Sequence, residues 1–363
     1  MGTIAPAIVL AVQKDFAALG KNSVVGDVDK VLAAFTKAAP YLEVDARPLG
    51  SRHDPFHKGA LTPEVAWKVA SLVSWLFVNR PVGCPVRAGI PKVATALRKI
   101  LADRKNTWVL EQKYWDEEKP AKRRTRHAAM AALVGGKPVK PTKAKGEWLD
   151  GRDDGTLILA PCAPDANSDD ASVFGAFYTA KLDAKTSPRI DAFMRAISEW
   201  KDFDVLPTAQ HICSAGFAAL GDRVAKTPVP KNSYEANPAV SASQLVARLA
   251  RDRSISANAA TLYLQTIALP EPTKANVQLW NGWLPEAYDA AAAELVKSKL
   301  LVTAKADGAG RKVFARGTIL KKTKLNLPIE ESKLAFTTHG RFIKHLITEP
   351  CHTLFERALR TEA

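Results

Sequence analysis

The stretch from Ala257 to Arg316 constrains this chain most, because apolar spacing and turn residues agree there over four consecutive elements. A helix is expected over Ala257–Leu269, followed by a loop bounded by Pro270 and Pro272 and a short helix around Lys274–Trp280. A longer helix runs from Pro285 to Lys299. Leu284, Ala287, Tyr288, Ala291, Ala292, Leu295 and Val296 recur along it at i, i+3, i+4, i+7, which makes one apolar stripe to bury. Pro285 takes a first-turn position, where a missing amide hydrogen costs nothing. Leu300–Lys305 and Arg311–Ala315 read as two strands, and Asp307-Gly308-Ala309-Gly310 supplies the positive-φ residues of the turn between them. Leu301 and Phe314 are expected to face the helices, and Lys305, Arg311 and Lys312 to face solvent.

Helix, short helix, helix and hairpin is the order of a winged helix-turn-helix, a fold that suggests a nucleic-acid partner without establishing one. The charge points the same way. Net charge is +15 and the sequence pI is near 9.6, which favours polyanions. Nine Lys/Arg and no acid fall between Lys119 and Lys145, and nine more fall between Lys297 and Lys324 against the single acid Asp307. These two runs exceed the whole net charge, so the rest of the chain is close to neutral. The residues expected to meet DNA or another polyanion are Lys305, Arg311, Lys312, Arg316, Lys321 and Lys322 on and beyond the hairpin. Lys122, Arg123, Arg124 and Arg126 join them from the earlier run. Base readout is not expected. The exposed face of the Pro285 helix offers Glu286, Asp289, Ala290, Ala293 and Glu294, where a groove-reading helix would carry Arg, Lys, Asn or Gln. Contact is therefore expected with phosphates, largely independent of sequence.

The 363 residues, with 47% apolar content, suffice for more than one core. The fold class is mainly α. Residues 1–116 read as a helical, HEAT-like domain, with Ala7–Leu19, Asp27–Ala39, Thr62–Asn79 and Pro91–Arg104 carrying helical spacing between prolines, and Trp67, Leu72, Trp75 and Leu76 forming a cluster. Residues 117–155 read as a basic flexible linker or loop, cleavable near Arg123-Arg124. Residues 156–230 form a middle segment with a short strand at Thr156–Ala160 and helices at Pro188–Lys201 and Thr208–Val224. Residues 231–363 hold the winged-helix domain and a C-terminal extension. Cys84, Cys162, Cys213 and Cys351 stand far apart, which fits a reducing cytosol. No apolar run reaches the length of a membrane span, and Met1–Val12 lacks a basic start and a cleavage pattern, so a cytoplasmic protein is expected.

No catalytic signature stands out. Asp165-Ala-Asn167-Ser-Asp169 begins like a calcium loop, but Asp170 and Ala176 occupy the positions for Gly and Glu. His53 and His57 flank Pro55, and His339, His345, Cys351 and His352 are interrupted by Pro350; ordinary surface or core roles suit both sets better than ligation. There is no phosphate-binding glycine loop, no G-x-S-x-G and no H-E-x-x-H, so no enzyme, cofactor or metal is expected. Trp280 and Trp283 are expected to fill the core between the two helices they join.

Tyr234-Glu-Ala-Asn-Pro238, Ala260-Thr-Leu-Tyr-Leu-Gln-Thr-Ile-Ala-Leu-Pro270, Trp280-Asn-Gly-Trp283 and Ala291-Ala-Ala-Glu-Leu-Val296, in that order, resemble the C-terminal region of large, uncharacterised bacterial proteins. Some of these are named for DNA binding and are related to WGR-domain proteins. The likeness covers roughly residues 230 to 363 and extends weakly to Pro81–Ala102, and this chain is much shorter than those proteins. It implies a bacterial origin and a place in a multi-component system with an ATPase partner, and it supplies no catalytic residues. Two readings follow. One is a non-enzymatic bacterial nucleic-acid-binding protein using the basic hairpin and linker. The other is an adaptor or scaffold subunit whose winged helix docks proteins.

Overall fold

The computed structural model describes residues 63–84, 87–104, 106–114, 128–139, 151–162, 172–197, 205–226, 228–320, 328–335, 337–340 and 343–362. The protein is mainly helical with small antiparallel sheets. Among the described residues no helix is long and apolar enough to cross a membrane. Contacts divide the chain into two compact units. One is built mainly from Ala96–Gln210 and the other from Trp67–Thr95 with His211–Ala363.

Helix α1 (Pro63–Asn79) buries Ala66, Val69, Ala70, Leu72, Val73, Leu76 and Phe77, a nearly unbroken apolar run. Helix α2 (Ile90–Ala102) is amphipathic, burying Ile90, Val93, Ala94, Leu97 and Leu101 on one stripe. The expected helices at Ala7–Leu19 and Asp27–Ala39, the possible calcium loop at Asp165–Asp169, and His53 and His57 lie outside the described residues.

The first unit departs from the helical expectation. Thr107–Tyr114 is strand β1, and it joins β2 (Lys137–Val139), β3 (Gly151–Asp153), β4 (Leu157–Cys162) and β5 (Ser172–Tyr178) in one antiparallel sheet of order β1-β5-β4-β3-β2. The local signal was present, since Thr107, Trp108, Val109 and Tyr114 are β-branched or aromatic. Trp108 lies opposite Phe177, the two rings edge-to-face at 6.4 Å, and helix α3 (Ser187–Ile197) covers β1 and β5 with Ile190 and Phe193. The turn into β4 is closed by Asp154, whose Oδ1 accepts from the amides of Thr156 and Leu157, both at 2.8 Å.

The span expected to be a flexible linker is partly ordered. Residues 128–134 are helical and bury Met130 and Val134, β2 pairs with β3, and Arg189 donates to the carbonyls of Leu133 and Val134 and pairs with Asp154. A few apolar side chains and one long-range arginine suffice where composition alone predicts mobility. Arg123-Arg124 lies outside the described residues.

The helix expected over Thr208–Val224 is two: α4 (Val205–Cys213) and α5 (Ala215–Lys226), the second of them within the second unit. Ser214 separates them because its Oγ accepts from the Phe217 amide and so starts a new helix. Helices α6 (Pro238–Ser241) and α7 (Ser243–Arg253) lead to α8 (Ala257–Ala268), which is buried from Ala259 to Ala268 and packs against α6, α7, α10 (Pro285–Lys297) and the last helix, α11 (Cys351–Glu362). A helix buried on all sides, its polar Gln265 and Thr266 satisfied by hydrogen bonds, belongs at the centre of its unit.

Candidate nucleic-acid interface

The segment around α8 is punctuated by local signals. Ser256 caps α8 through its Oγ, which accepts from the Ala259 amide at 3.1 Å. Thr273 caps α9 (Lys274–Asn281) in the same way through the Asn276 amide at 3.0 Å. Gly282, at φ +65, ends α9 in the left-handed conformation that a β-carbon resists, and the Trp283 amide donates to Gln278 O at 3.0 Å. Asn281 and Gln265 exchange side-chain amide hydrogen bonds, both 3.0 Å, while Gln265 also donates to Ala236 O. This satisfied amide pair fixes α9 against the buried α8. Trp280 is buried as expected, whereas Trp283 is half-buried.

Helix α10 buries Tyr288, Ala291, Ala292 and Leu295, and Tyr288 burial raises its hydroxyl pKa to about 12. Leu284 departs from the expected stripe: it is the N-cap, makes no side-chain cap hydrogen bond, and is 74% exposed. The cap position sits before the first helical turn, so the helical period does not carry its side chain inward.

Strands β6 (Val302–Thr303) and β7 (Val313–Phe314) form the expected hairpin, with Leu301 and Phe314 buried. Its turn lies against α9, where the Lys274 amide donates to Gly310 O at 2.9 Å and a β-carbon at Gly310 would approach Thr273 to 3.0 Å. Arg311 corrects the sequence expectation. It is buried: its Nη2 meets Glu330 Oε2 at 2.7 Å, and its guanidinium lies 4.6 Å from the Phe314 ring. Glu330, on β9 (Ile329–Glu330, paired with β8, Ile319–Leu320), also binds Lys333 Nζ at 2.8 Å, and Lys333 donates to Leu269 O, the C-cap of α8, at 2.7 Å. The triad ties the root of the hairpin to the end of the central helix. Burial works to raise the Glu330 pKa, but the charges of Lys333 and Arg311 outweigh it and hold the carboxyl below its ordinary value. Glu330 and Lys333 escaped the sequence reading because Arg311 meets its partner across nineteen residues.

Lys305, Lys312 and Arg316 are exposed, and none forms an ion pair with a described residue. Lys321, Lys322, Lys122, Arg123, Arg124 and Arg126 lie outside the described residues. On α10, Glu286, Asp289, Ala290 and Ala293 are exposed as expected. Two of the acids have structural work: Asp289 pairs with Lys274 at 2.6 Å, and Glu294 accepts from the Ser256 amide and hydroxyl at 2.7 and 2.5 Å.

A second buried charge cluster joins Arg87, Glu235 and Arg223, with Glu235 bridging the two guanidinium groups at 3.3 and 3.2 Å beside the buried Cys351 thiol. Burial lowers the Arg87 pKa and raises that of Glu235, so desolvation outweighs attraction on both sides. No group of three or more His, Cys, Asp or Glu among the described residues could hold a metal ion. No protein-family model, curated protein or solved structure matches the chain.

Proposed function

We propose that α8, α9, α10 and the β6–β7 hairpin form a winged helix-turn-helix, and that the protein binds nucleic acid through phosphates without catalysing a reaction. The observation that carries this reading is the placement of Lys305, Lys312 and Arg316, exposed and unpaired among the described residues, on a hairpin anchored at its root by the Arg311–Glu330–Lys333 triad. Cations held on a fixed support gain more from a phosphate backbone than the same charges on loose chain. The face of α10 supports indifference to sequence, since Glu286, Asp289, Ala290 and Ala293 offer no donors to base edges. The likeness to bacterial proteins named for DNA binding agrees with this reading. In it the protein works in a bacterial cytoplasm, and α1 and α2 belong to a HEAT-like stack. An adaptor role is favoured by one observation, the exposed Leu279 and Leu284 at the ends of the α9–α10 turn, 54% and 74% accessible.

The test is binding of a mixed-sequence duplex by fluorescence anisotropy across a salt series. Reversing Lys305, Lys312 and Arg316 to Glu removes three phosphate contacts, so the slope of log K against log salt should flatten by about 0.9 for each. Reversing Glu286 to Lys should raise affinity by removing repulsion. Absence of binding even at roughly 50 mM salt, or a slope unchanged by the triple reversal, overturns the reading.

A further inference from the structure

The hydrogen bonds between Ser256 and Glu294 bring together two helix ends that are far apart in sequence. Ser256 begins α8 just after α7 ends at Arg253, and Glu294 lies in the last turn of α10, one turn before Lys297. The contact, at 2.5 and 2.7 Å, joins the chain three residues past the basic C-terminal end of α7 to the basic last turn of α10. Arg251 and Arg253 come from the first, with Arg248 one turn earlier, and Lys297 and Lys299 from the second; all five are exposed. Two acids on these elements already have partners: Asp252 meets Arg251 at 3.4 Å, and Glu294 is held by Ser256. Cations in a last helical turn offset the helix dipole, but that role needs neither five of them nor a residue beyond the helix. Lys299 is such a residue. It follows the C-cap Ser298 at φ +60, a left-handed position that glycine adopts freely and a β-carbon resists. The sequence keeps a lysine where local backbone preference favours glycine, and such conflicts concentrate at functional positions.

We infer that this corner is a second phosphate-contacting surface, in which Arg251, Arg253, Lys297 and Lys299 grip a nucleic-acid backbone. The inference rests on the nucleic-acid reading above and extends its footprint to Arg251 and Arg253, which lie outside both charge runs of the sequence. No base-reading role is assigned to it.

Lys299→Gly is the decisive variant, because it removes the charge while easing the backbone. Its melting temperature should be no lower than that of the unaltered protein, and its slope of log K against log salt on the duplex should flatten by about 0.9. Combining R251Q, R253Q, K297Q and K299G should flatten the slope by roughly 3 to 4. If K305E/K312E/R316E weakens binding and the corner variants leave both affinity and slope unchanged, the inference is overturned and the nucleic-acid reading stands. If no variant and no salt concentration yields binding, the reading itself has failed and the inference with it. Titration with inorganic polyphosphate at equal phosphate concentration separates the sources. Tighter binding of the duplex supports a nucleic-acid surface, and equal or tighter binding of polyphosphate overturns that assignment.

Discussion

Replacing Glu330 by Gln tests what anchors the hairpin. The carboxylate is 2% exposed and sits between Arg311 and Lys333, themselves 1% and 0% exposed, with the Ala315 amide approaching at 3.4 Å. Neutralising it leaves two buried cations with no anion, a defect that costs about 3–5 kcal/mol. For a unit of this size that is a fall in melting temperature of roughly 6–20 °C. Replacing all three residues together by apolar ones of similar volume (R311M/E330L/K333M) should cost far less, since no charge is then stranded. The pH dependence follows from the lowered Glu330 pKa. The unfolded chain takes up the proton first, so the triad contributes fully above the ordinary carboxyl value of 4.5, and its contribution is lost as pH falls through the lower native value. E330Q should abolish that part of the acid sensitivity. Differential scanning calorimetry of the three proteins from neutral to acidic pH measures all of this. An E330Q midpoint within about 2 °C of the parent would refute the reasoning.

His211 is buried with its ring edge-to-face against Phe217 at 5.1 Å, and burial lowers its pKa to about 4. The unfolded chain therefore binds a proton before the folded one, and stability should fall by up to about 3 kcal/mol between pH 6.5 and pH 4; urea titrations in which H211Q keeps the full slope would sink this assignment. Leu284→Asp supplies the missing cap acceptor and a negative charge at the start of α10, so it should raise stability by about 1 kcal/mol, and a lower denaturation midpoint would contradict the cap argument.

The sequence was most legible where the chain carries its own punctuation. Ser256, Thr273, Gly282 and Pro285 bound α8, α9 and α10, and each acts on amides or dihedrals within a few residues of itself. The hairpin was legible for the same reason, through Gly308 and Gly310 at positive φ. Pairing at a distance was hidden. Nothing near Thr107–Tyr114 announces that its partner is Ser172–Tyr178, so a β-prone segment was absorbed into a helical reading. Arg311 reads as one more cation in a basic run, and only Glu330, brought across by the chain reversal, turns it inward. Exposure of Leu284 follows from its place before the helix, which a periodic pattern does not register. The basic corner at Ser256 and Glu294 was only half legible: Lys297 and Lys299 open the second basic run, whereas Arg251 and Arg253 lie outside both runs and nothing local announces the contact between Ser256 and Glu294.

The edge position of β1 also bears on how the chain is made. β2, β3 and β4 each pair with the next strand in sequence, but β1, synthesised before all of them, pairs with β5, the last of the sheet to emerge. On the ribosome β1 must wait with unpaired amides and carbonyls, and with Trp108 uncovered, until the whole meander has been translated. That interval is when an unpaired strand recruits chaperones or another chain. Shortening the intervening segment would help little, since closure cost changes by only about 0.6 kcal/mol for each halving of loop length. A circular permutant that carried β1 immediately after β5 would instead turn the slowest pairing of the sheet into a local hairpin.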